Sequence, residues 1–557
     1  MLSGFAARLL EAGSPFELLS VQTAGLAVKQ FRHLPISLNS LYKRAARSAL
    51  APCMHFRAAD VPYGEVFDQA RVLAAALIER HGIRTGDRIA LRASNGPQWL
   101  AAFVAITSVG AVAVLLPQEM ALDHCRRALD MAGCLLLLVD EPGLALPPDL
   151  SAGRPVILMR ARSPSGTFPY FEDISAATSA LDPLSIEIAP DQEALITFTS
   201  GSTGAPKGVI CSHRAILSGL MNATLGGALA SARNRVASER KSDAPAVPCS
   251  LSLAPFAHVA GYMHLLLSMQ VAARTIPLVE SDTATIARLI ERHRVTTLGG
   301  MNAETLAALL SAEECHRRLA SLTNVSIHGN TLRATLAEKI RKHLPHVRPA
   351  TSYGLTETCG PVACGVGADL FEKPESCGAI LPSLEVRVVD EQGETMPIGK
   401  TGEIWLSGSM LMSGYCAAPR ETARTLVNGW LRTEDFGYVD SHGFLFVQER
   451  LQDLHDWNGE RLSLARLERA ICSDAPVKDA AVLRAEDSLG RPRLIVAIVP
   501  DSADGNEARS VSLASVSATA GVPRESVEVI ALAGLPRTGI GKIDRRALQA
   551  MLVDRKQ

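Results

Sequence analysis

Phe198–Val209 reads FTSGSTGAPKGV, with three glycines, four hydroxyl side chains and one lysine in twelve residues. Glycine lets backbone N–H groups approach an anion with no Cβ in the way, and successive N–H groups of this kind cradle phosphates. The Ser and Thr hydroxyls add donors, and Lys207 adds a cation. The preceding run, ALITFT (194–199), has the β-branched and aromatic texture of a strand, so the loop leaves a strand end. It is not a Walker loop, because Pro206 precedes Lys207 and Gly208 follows it, where that motif needs Gly-Lys-Ser/Thr. On composition alone, a Gly/Ser surface turn fits as well as a phosphate cradle.

Upstream of this loop the pattern is layered. Val66–His81 is amphipathic and ends in Gly82; RTGDR (84–88) then reads as a loop and IALRA (89–93) as a short buried strand. Apolar runs alternate with helical periods as far as about Gly360, which predicts α/β layers with parallel strands. Leu100–Pro117, LAAFVAITSVGAVAVLLP, is uncharged and nearly long enough to span a bilayer. Its glycine followed by a β-branched run predicts instead a buried helix stopping near Gly110, then a buried strand. Leu251–Leu278 is also apolar, but Pro255, His258, Gly261 and His264 argue against a lipid-facing span. Ser231–Val247 reads as a polar loop or insertion, and the first fifty residues show no clear pattern. From Glu385 the texture turns to short β-rich segments, and a further compact unit of about a hundred residues follows Arg450.

The composition excludes several function classes. With 56 Lys plus Arg against 57 Asp plus Glu in 557 residues, no net positive field is available to hold nucleic acid. The eleven cysteines contain no C-x-x-C pair; Cys359 and Cys364 come nearest, and free buried thiols in a reducing compartment are expected. The N-terminus has no clear secretory signal pattern. No transmembrane segment and a cytoplasmic location are therefore expected.

Beyond the loop, the order of motifs resembles the superfamily of acyl-CoA synthetases, peptide-synthetase adenylation domains and beetle luciferases. Thr199–Gly208 matches that family's T-S-G-S-T-G-x-P-K-G loop in full. PFAHVAG (255–261), YGLTE (353–357), RTED (432–435), RLQD (450–453) and LPRTGIGK (535–542) then follow in the family's order. Before Thr199 the likeness rests only on α/β texture.

The resemblance implies a fold and a set of roles. The expected architecture is α/β: a large N-terminal adenylation domain of several subdomains, residues 1–449, ending in a β-rich subdomain, and a small mobile α+β cap, residues 450–557. Thr199, Ser200, Gly201, Ser202, Thr203, Gly204 and Lys207 would hold ATP phosphates. Glu357 would bind Mg²⁺, a hard cation suited to oxygen ligands, and Thr356 would hydrogen-bond the α-phosphate. Asp435 would accept from the ribose hydroxyls, with Gly329, Asn330, Tyr353 and Arg450 completing the ATP site. His258, Val259 and Gly354 would line the acyl pocket, and Gly459 would admit the pantetheine arm. Lys542, at the tip of a Gly-rich turn, would reach the substrate carboxylate and the α-phosphate during adenylation.

The implied reaction is ATP-dependent formation of an acyl-AMP from a carboxylic acid, then thioester formation with coenzyme A. The expected acid is fatty, alicyclic or aryl-alkyl, because PFAHVAG offers no carboxylate for an amine and the pocket reads as apolar on that side. Two other readings stand beside it: an acyl-AMP ligase that loads a phosphopantetheine carrier protein, and a non-catalytic nucleotide-binding descendant. Some positions depart from the pattern. Glu434 replaces the glycine of R-T-G-D, Leu464 the usual proline and Arg466 a glutamate; Asn458 and the neutral hinge residue Gln452 also differ, while Gly459 and Glu468 are kept. Thiol transfer is therefore expected to be the slower half-reaction.

Overall fold

The computed structural model describes residues 7–23, 26–140, 153–159, 182–199, 206–234, 247–278, 282–327, 334–451, 454–457, 460–474, 476–486, 491–500, 506–537 and 543–554. The chain divides into two compact units. One comprises Met1–Arg387, Trp405–Arg432 and Val439–Phe446; the other comprises Val388–Ile404, Thr433–Tyr438 and Val447–Gln557. The fold is mixed α/β, with the larger unit N-terminal.

The first unit is built on two sheets. In the first, β1 (Arg88–Arg92), β2 (Val112–Leu115), β3 (Leu136–Val139), β4 (Val156–Leu158) and β5 (Glu193–Thr199) run parallel, and β6 (Lys207–Ser212) returns antiparallel to β5. The order is β14-β6-β5-β2-β1-β3-β4, where β14 is Gly414–Tyr415. The chain runs from β1 to β2 on one side and then to β3 on the other, so the strand order reverses at β1. In open α/β sheets ligands bind beyond the carboxyl ends of the strands near such a reversal.

The strands are short and almost wholly apolar, as expected for strands covered on both faces. The helices that cover them follow the sequence. Tyr63–Glu79 forms α1 and Pro97–Ser108 forms α2. α2 is buried on all sides and ends just before Gly110, whose φ of +78° suits glycine, and β2 follows at once. The apolar run 100–117 is thus a buried helix and a buried strand, as its pattern predicts. Among the described residues no helix is long and apolar enough to cross a membrane.

The second sheet of this unit has a parallel centre. β7 (Cys249–Ser252) lies between β8 (Arg274–Pro277) and β9 (Thr297–Met301), and β10 (Asn324–Ile327) and β11 (Arg348–Tyr353) continue outward from β9. β12 (Ala363–Val366) and β13 (Gly378–Ile380) add antiparallel strands. At the N-terminus, where no pattern was legible, Leu18–Thr23 and Leu26–Phe31 pair as a hairpin.

One expectation is corrected. Ser231–Asn234, read as the start of a polar loop, is the last turn of α3 (His213–Asn234). Ala and Arg are good helix formers and no Gly or Pro interrupts 228–234, so the helix runs on. Residues 235–246 of that expected loop lie outside the described ones.

The second unit has its own core. β15 (Leu454–Trp457) and β16 (Glu460–Ser463) form a hairpin. β17 (Val477–Glu486), β18 (Pro492–Pro500) and β19 (Val527–Ala531) form a three-stranded sheet with an antiparallel and a parallel pair. The helices Leu464–Asp474 and Asn506–Ala520 contribute to this core through Leu464, Leu467, Ile471, Ala508 and Val516, together with Trp457. Leu464, where the family pattern has proline, is one of the buried residues of that core.

Candidate active site

The candidate loops of the first unit all lie past the carboxyl ends of parallel strands. The phosphate-loop motif follows β5, PFAHVAG follows β7, and YGLTE leaves β11. Gly329 and Asn330, just past β10, lie outside the described residues, as do Ser200, Gly201, Ser202, Thr203 and Gly204. The frame of the phosphate loop is described: Thr199 ends β5 directly opposite Lys207, which opens β6.

Lys207, Tyr415 and Glu357 come together at this end of the sheet. β14 pairs with β6, placing Tyr415 opposite Val209. The Lys207 ammonium lies over the Tyr415 ring, 5.3 Å from its centroid. The Tyr415 hydroxyl donates to Glu357 Oε1 at 2.8 Å, and the Met412 N–H donates to the Glu357 carbonyl at 2.8 Å. Glu357 is half-buried in a single 3₁₀ turn, Thr356–Thr358. The Thr358 hydroxyl closes that turn, accepting from the Leu355 N–H at 3.0 Å. α3 packs backbone to backbone against the residues that follow: a Cβ on Gly219 would stand 2.1 Å from the Cys359 carbonyl oxygen. Only glycine fits there, and the contact fixes the turn carrying Thr356 and Glu357.

This donor set suits Mg²⁺. That ion takes one or two protein carboxylates and leaves its other positions to water and phosphate. Glu357 presents one carboxylate, with Oε1 held by Tyr415 and Oε2 accepting no hydrogen bond among the described residues.

Three contacts join the carboxyl ends of the two sheets. Thr197 of β5 donates its hydroxyl to the Ala257 carbonyl at 2.9 Å. Asn95, past β1, donates to the Ala254 carbonyl at 2.9 Å and accepts from the Phe256 N–H at 2.8 Å. His258 Nε2 lies 2.8 Å from Oε1 of Glu119, four residues past the end of β2. Trp99 of α2 meets Phe256 edge-on, with ring centroids 5.4 Å apart, and so packs the same segment from below. Val259 opens the helix α4 (Val259–Gln270), of which His258 is the N-cap. Gly354 is exposed and covers the Gly360 carbonyl, which a Cβ would approach to 2.4 Å.

Glu119 stands beside PFAHVAG through its contact with His258. The segment holds no acid of its own, but the fold brings one from the neighbouring sheet. Burial pushes the Glu119 carboxyl up; the hydrogen bond with His258, the backbone N–H and the Arg92 charge outweigh this and hold it below its usual value. Tyr415, Asn95 and Glu119 were all missed by motif reading. For Asn95 and Glu119 the available signal was position, because each follows the carboxyl end of a buried parallel strand.

In the second unit, Asp435 and Arg450 are brought together. The Asp435 side chain is 1% exposed, and its Oδ1 lies 2.8 Å from Arg450 Nε. Its backbone N–H donates to the Thr433 hydroxyl at 3.0 Å. Glu434, between them, has φ +59° in the left-handed region, where the family pattern carries glycine. Glu468 accepts from the Val482 N–H at 2.8 Å and from Arg545 at 2.7 Å, which ties the helix Leu464–Asp474 to β17. Gly459, Gln452 and Lys542 lie outside the described residues.

The chain is similar to 4-coumarate–CoA ligase-like 9 of Arabidopsis thaliana, 28% identical over 513 residues, covering 89% of this chain and 85% of that one. It is 29% identical over 503 residues to a Mycobacterium tuberculosis propanoyl:CoA ligase whose acid bears a methyl-dioxo-octahydroindenyl group, covering 87% and 93%. Its fold matches that of the amide bond synthetase McbA from Marinactinospora thermotolerans with a TM-score of 0.78, at 24% identity, covering 92% of this chain and 99% of that one. The model of the family described as AMP-binding enzyme matches residues 41–416, more than half of the chain, and the protein belongs to that family.

Proposed function

We propose that this enzyme joins a carboxylic acid to the AMP part of ATP and then transfers the acyl group to coenzyme A. The observation that carries this reading is the Lys207–Tyr415–Glu357 cluster at the mouth of the Gly/Ser loop. A carboxylate and ATP are both anions, and their approach has to be balanced by positive charge. Two unit charges about 4 Å apart interact by about 1 kcal/mol in water and about 4 kcal/mol in a partly enclosed site. The loop's N–H groups and hydroxyls, with Lys207, hold the polyphosphate. Mg²⁺ bound through Glu357 would neutralise phosphate charge as a Lewis acid. Tyr415 orients Glu357 for that task, and Thr356 in the same turn donates toward the α-phosphate. Asp435 offers a carboxylate to the ribose hydroxyls, which are two good donors for it.

The acid is proposed to carry an apolar body, aryl-alkyl or alicyclic before simple fatty, without a free α-amine. Both named relatives are CoA ligases, and the acid of the mycobacterial one carries a fused-ring group. An ammonium needs a partner when buried, and the carboxylate that the fold brings to the segment, Glu119, is already engaged by His258.

The deciding experiment is acid-dependent exchange of labelled pyrophosphate into ATP over a panel of aryl-alkyl, alicyclic, fatty and amino acids. Exchange that requires Mg²⁺ and is strongest with an apolar acid is expected. No exchange with any acid would end the enzymatic reading. A strong preference for an α-amino acid would end the substrate assignment alone.

A further inference from the structure

We infer that Glu119 is a positioning residue for thiol transfer, fixing His258 with its Nδ1 lone pair open to take the proton of the incoming thiol. The inference rests on the acyl-AMP reading above and adds a role to a residue outside every motif.

An ionised carboxylate only accepts hydrogen bonds, and the contacts of Glu119 hold it below its usual carboxylate range. The 2.8 Å contact therefore requires hydrogen on Nε2. A neutral imidazole with hydrogen on Nε2 carries its lone pair on Nδ1. Nδ1 makes no hydrogen bond among the described residues, so the basic nitrogen is uncommitted.

The ring is also held in place from below. Asn95 clamps the backbone at Ala254 and Phe256, and Thr197 holds Ala257, the residue before the histidine. Glu119 is reached through the turn after β2, whose neighbour β5 ends at Thr199 beside the phosphate loop. The pair thus stands at the same end of the sheet as the phosphate cradle. The other charged group facing Glu119 is Arg92 of β1, whose guanidinium donates to the Gln118 carbonyl at 2.8 Å.

The thiol S–H bond breaks and its proton passes to Nδ1. The sulfur forms a bond to the acyl carbon, and the bond from that carbon to the phosphate oxygen breaks, its electron pair leaving with AMP. The imidazolium formed faces the Glu119 carboxylate, which stabilises it, and then returns its proton to solvent. A carboxylate behind an imidazole acts by holding the tautomer and stabilising the cation, without taking the proton itself.

The test uses the full chain with Glu119→Ala, Glu119→Asp, His258→Gln and the double variant Glu119→Ala/His258→Gln. Adenylation is read by pyrophosphate exchange. Thioester formation is read in single turnovers from supplied acyl-AMP and coenzyme A. Positioned proton transfer contributes about 10²- to 10⁴-fold, so Glu119→Ala should slow thiol transfer at least about tenfold at pH 7. Exchange should stay within about threefold, Glu119→Asp should recover part of the loss, and the double variant should be no worse than His258→Gln. Near pH 9.5, above the ordinary alkyl-thiol pKa of about 8.5, the thiol is already ionised and the deficit should shrink to within about threefold. Equal losses in both half-reactions at both pH values would show that Glu119 only holds the loop, and would overturn the inference. So would thiol transfer indifferent to Glu119 in a chain that exchanges pyrophosphate normally. Failure of the unaltered chain to exchange pyrophosphate with any acid would overturn the acyl-AMP reading, and this step with it.

Discussion

Tyr415 donates its phenolic hydrogen to Glu357 Oε1 at 2.8 Å, across 58 residues of sequence, and so joins the strand beside the phosphate loop to the turn of YGLTE. A hydrogen bond to a charged group is worth about 1.5–3 kcal/mol. Here it removes one rotameric freedom from the carboxylate proposed to meet Mg²⁺. Tyr415→Phe keeps the ring under Lys207 and removes only the O–H. Adenylation should fall about tenfold at limiting Mg²⁺, and the Mg²⁺ concentration for half-maximal exchange should rise. An unchanged Mg²⁺ titration would mean that the bond serves the fold and not the metal.

His213 makes a pH-dependent contribution to stability. Its side chain is fully buried at the start of α3; Nδ1 accepts from the Leu38 N–H at 3.2 Å, and Nε2 has no partner among the described residues. Burial disfavours the imidazolium and lowers the pKa from 6.5 to about 4. The folded state therefore binds fewer protons than the unfolded one between these values. Stability is fully present above 6.5 and declines as pH falls toward 4, by on the order of 3 kcal/mol across the window. His213→Gln retains an acceptor for Leu38 and does not titrate. Urea midpoints measured from pH 7 to pH 4 should fall less steeply in the variant, and parallel curves would remove His213 as the cause.

The parts of the candidate site legible in sequence share one physical property: the chemistry of each is local. Thr199–Gly208, PFAHVAG and YGLTE carry their glycines, hydroxyls and charges within a few residues. Glu119 and Asn95 act through partners 139 and 159 residues away, so no window of sequence contains the interaction. The alternation of apolar and helical periods from Pro62 onward was enough for the parallel layers. It could not show which two sheets would form, because strand order is set by long-range packing. Ser231–Asn234 was misread for the opposite reason: polar residues suggested a loop, but with no breaker present the local propensity continued α3.

Glu434 occupies left-handed backbone at φ +59°, and its side chain is exposed. For an L-residue that conformation costs about 1–2 kcal/mol. Glycine removes the cost but gives back about 0.4–1 kcal/mol as freedom of the unfolded chain. Glu434→Gly should therefore gain about 0.5 kcal/mol in unfolding free energy. Glu434→Ala keeps the strain and loses only an exposed carboxylate, so it should be close to neutral. A glycine variant no more stable than the alanine variant would show that the backbone carries no strain here.

The half-reactions should separate at Lys542. The lysine lies outside the described residues, but the residues before 538 and after 542 are anchored. Arg537 is ion-paired with Asp479 of β17 and forms a β-bridge with Ile543. The Asp544 N–H donates to the Pro536 carbonyl at 2.8 Å, and Asp544 Oδ1 accepts from the Ala547 N–H at 2.9 Å at the start of the helix Arg545–Asp554. The five residues between these anchors, 538–542, include Gly539 and Gly541 and end on Lys542. Adenylation builds negative charge on the α-phosphate as pyrophosphate departs. Losing one preorganised donor to developing charge typically costs about 10²- to 10³-fold. Lys542→Ala should therefore slow pyrophosphate exchange by about a hundredfold or more. Thioester formation from supplied acyl-AMP involves no pyrophosphate departure and should change by less than about fivefold. Rapid-quench measurement of both steps in the same preparation gives the comparison. Equal losses would show that Lys542 acts by holding the second unit together, and a larger loss in thiol transfer would place the lysine with the thiol instead of the phosphate.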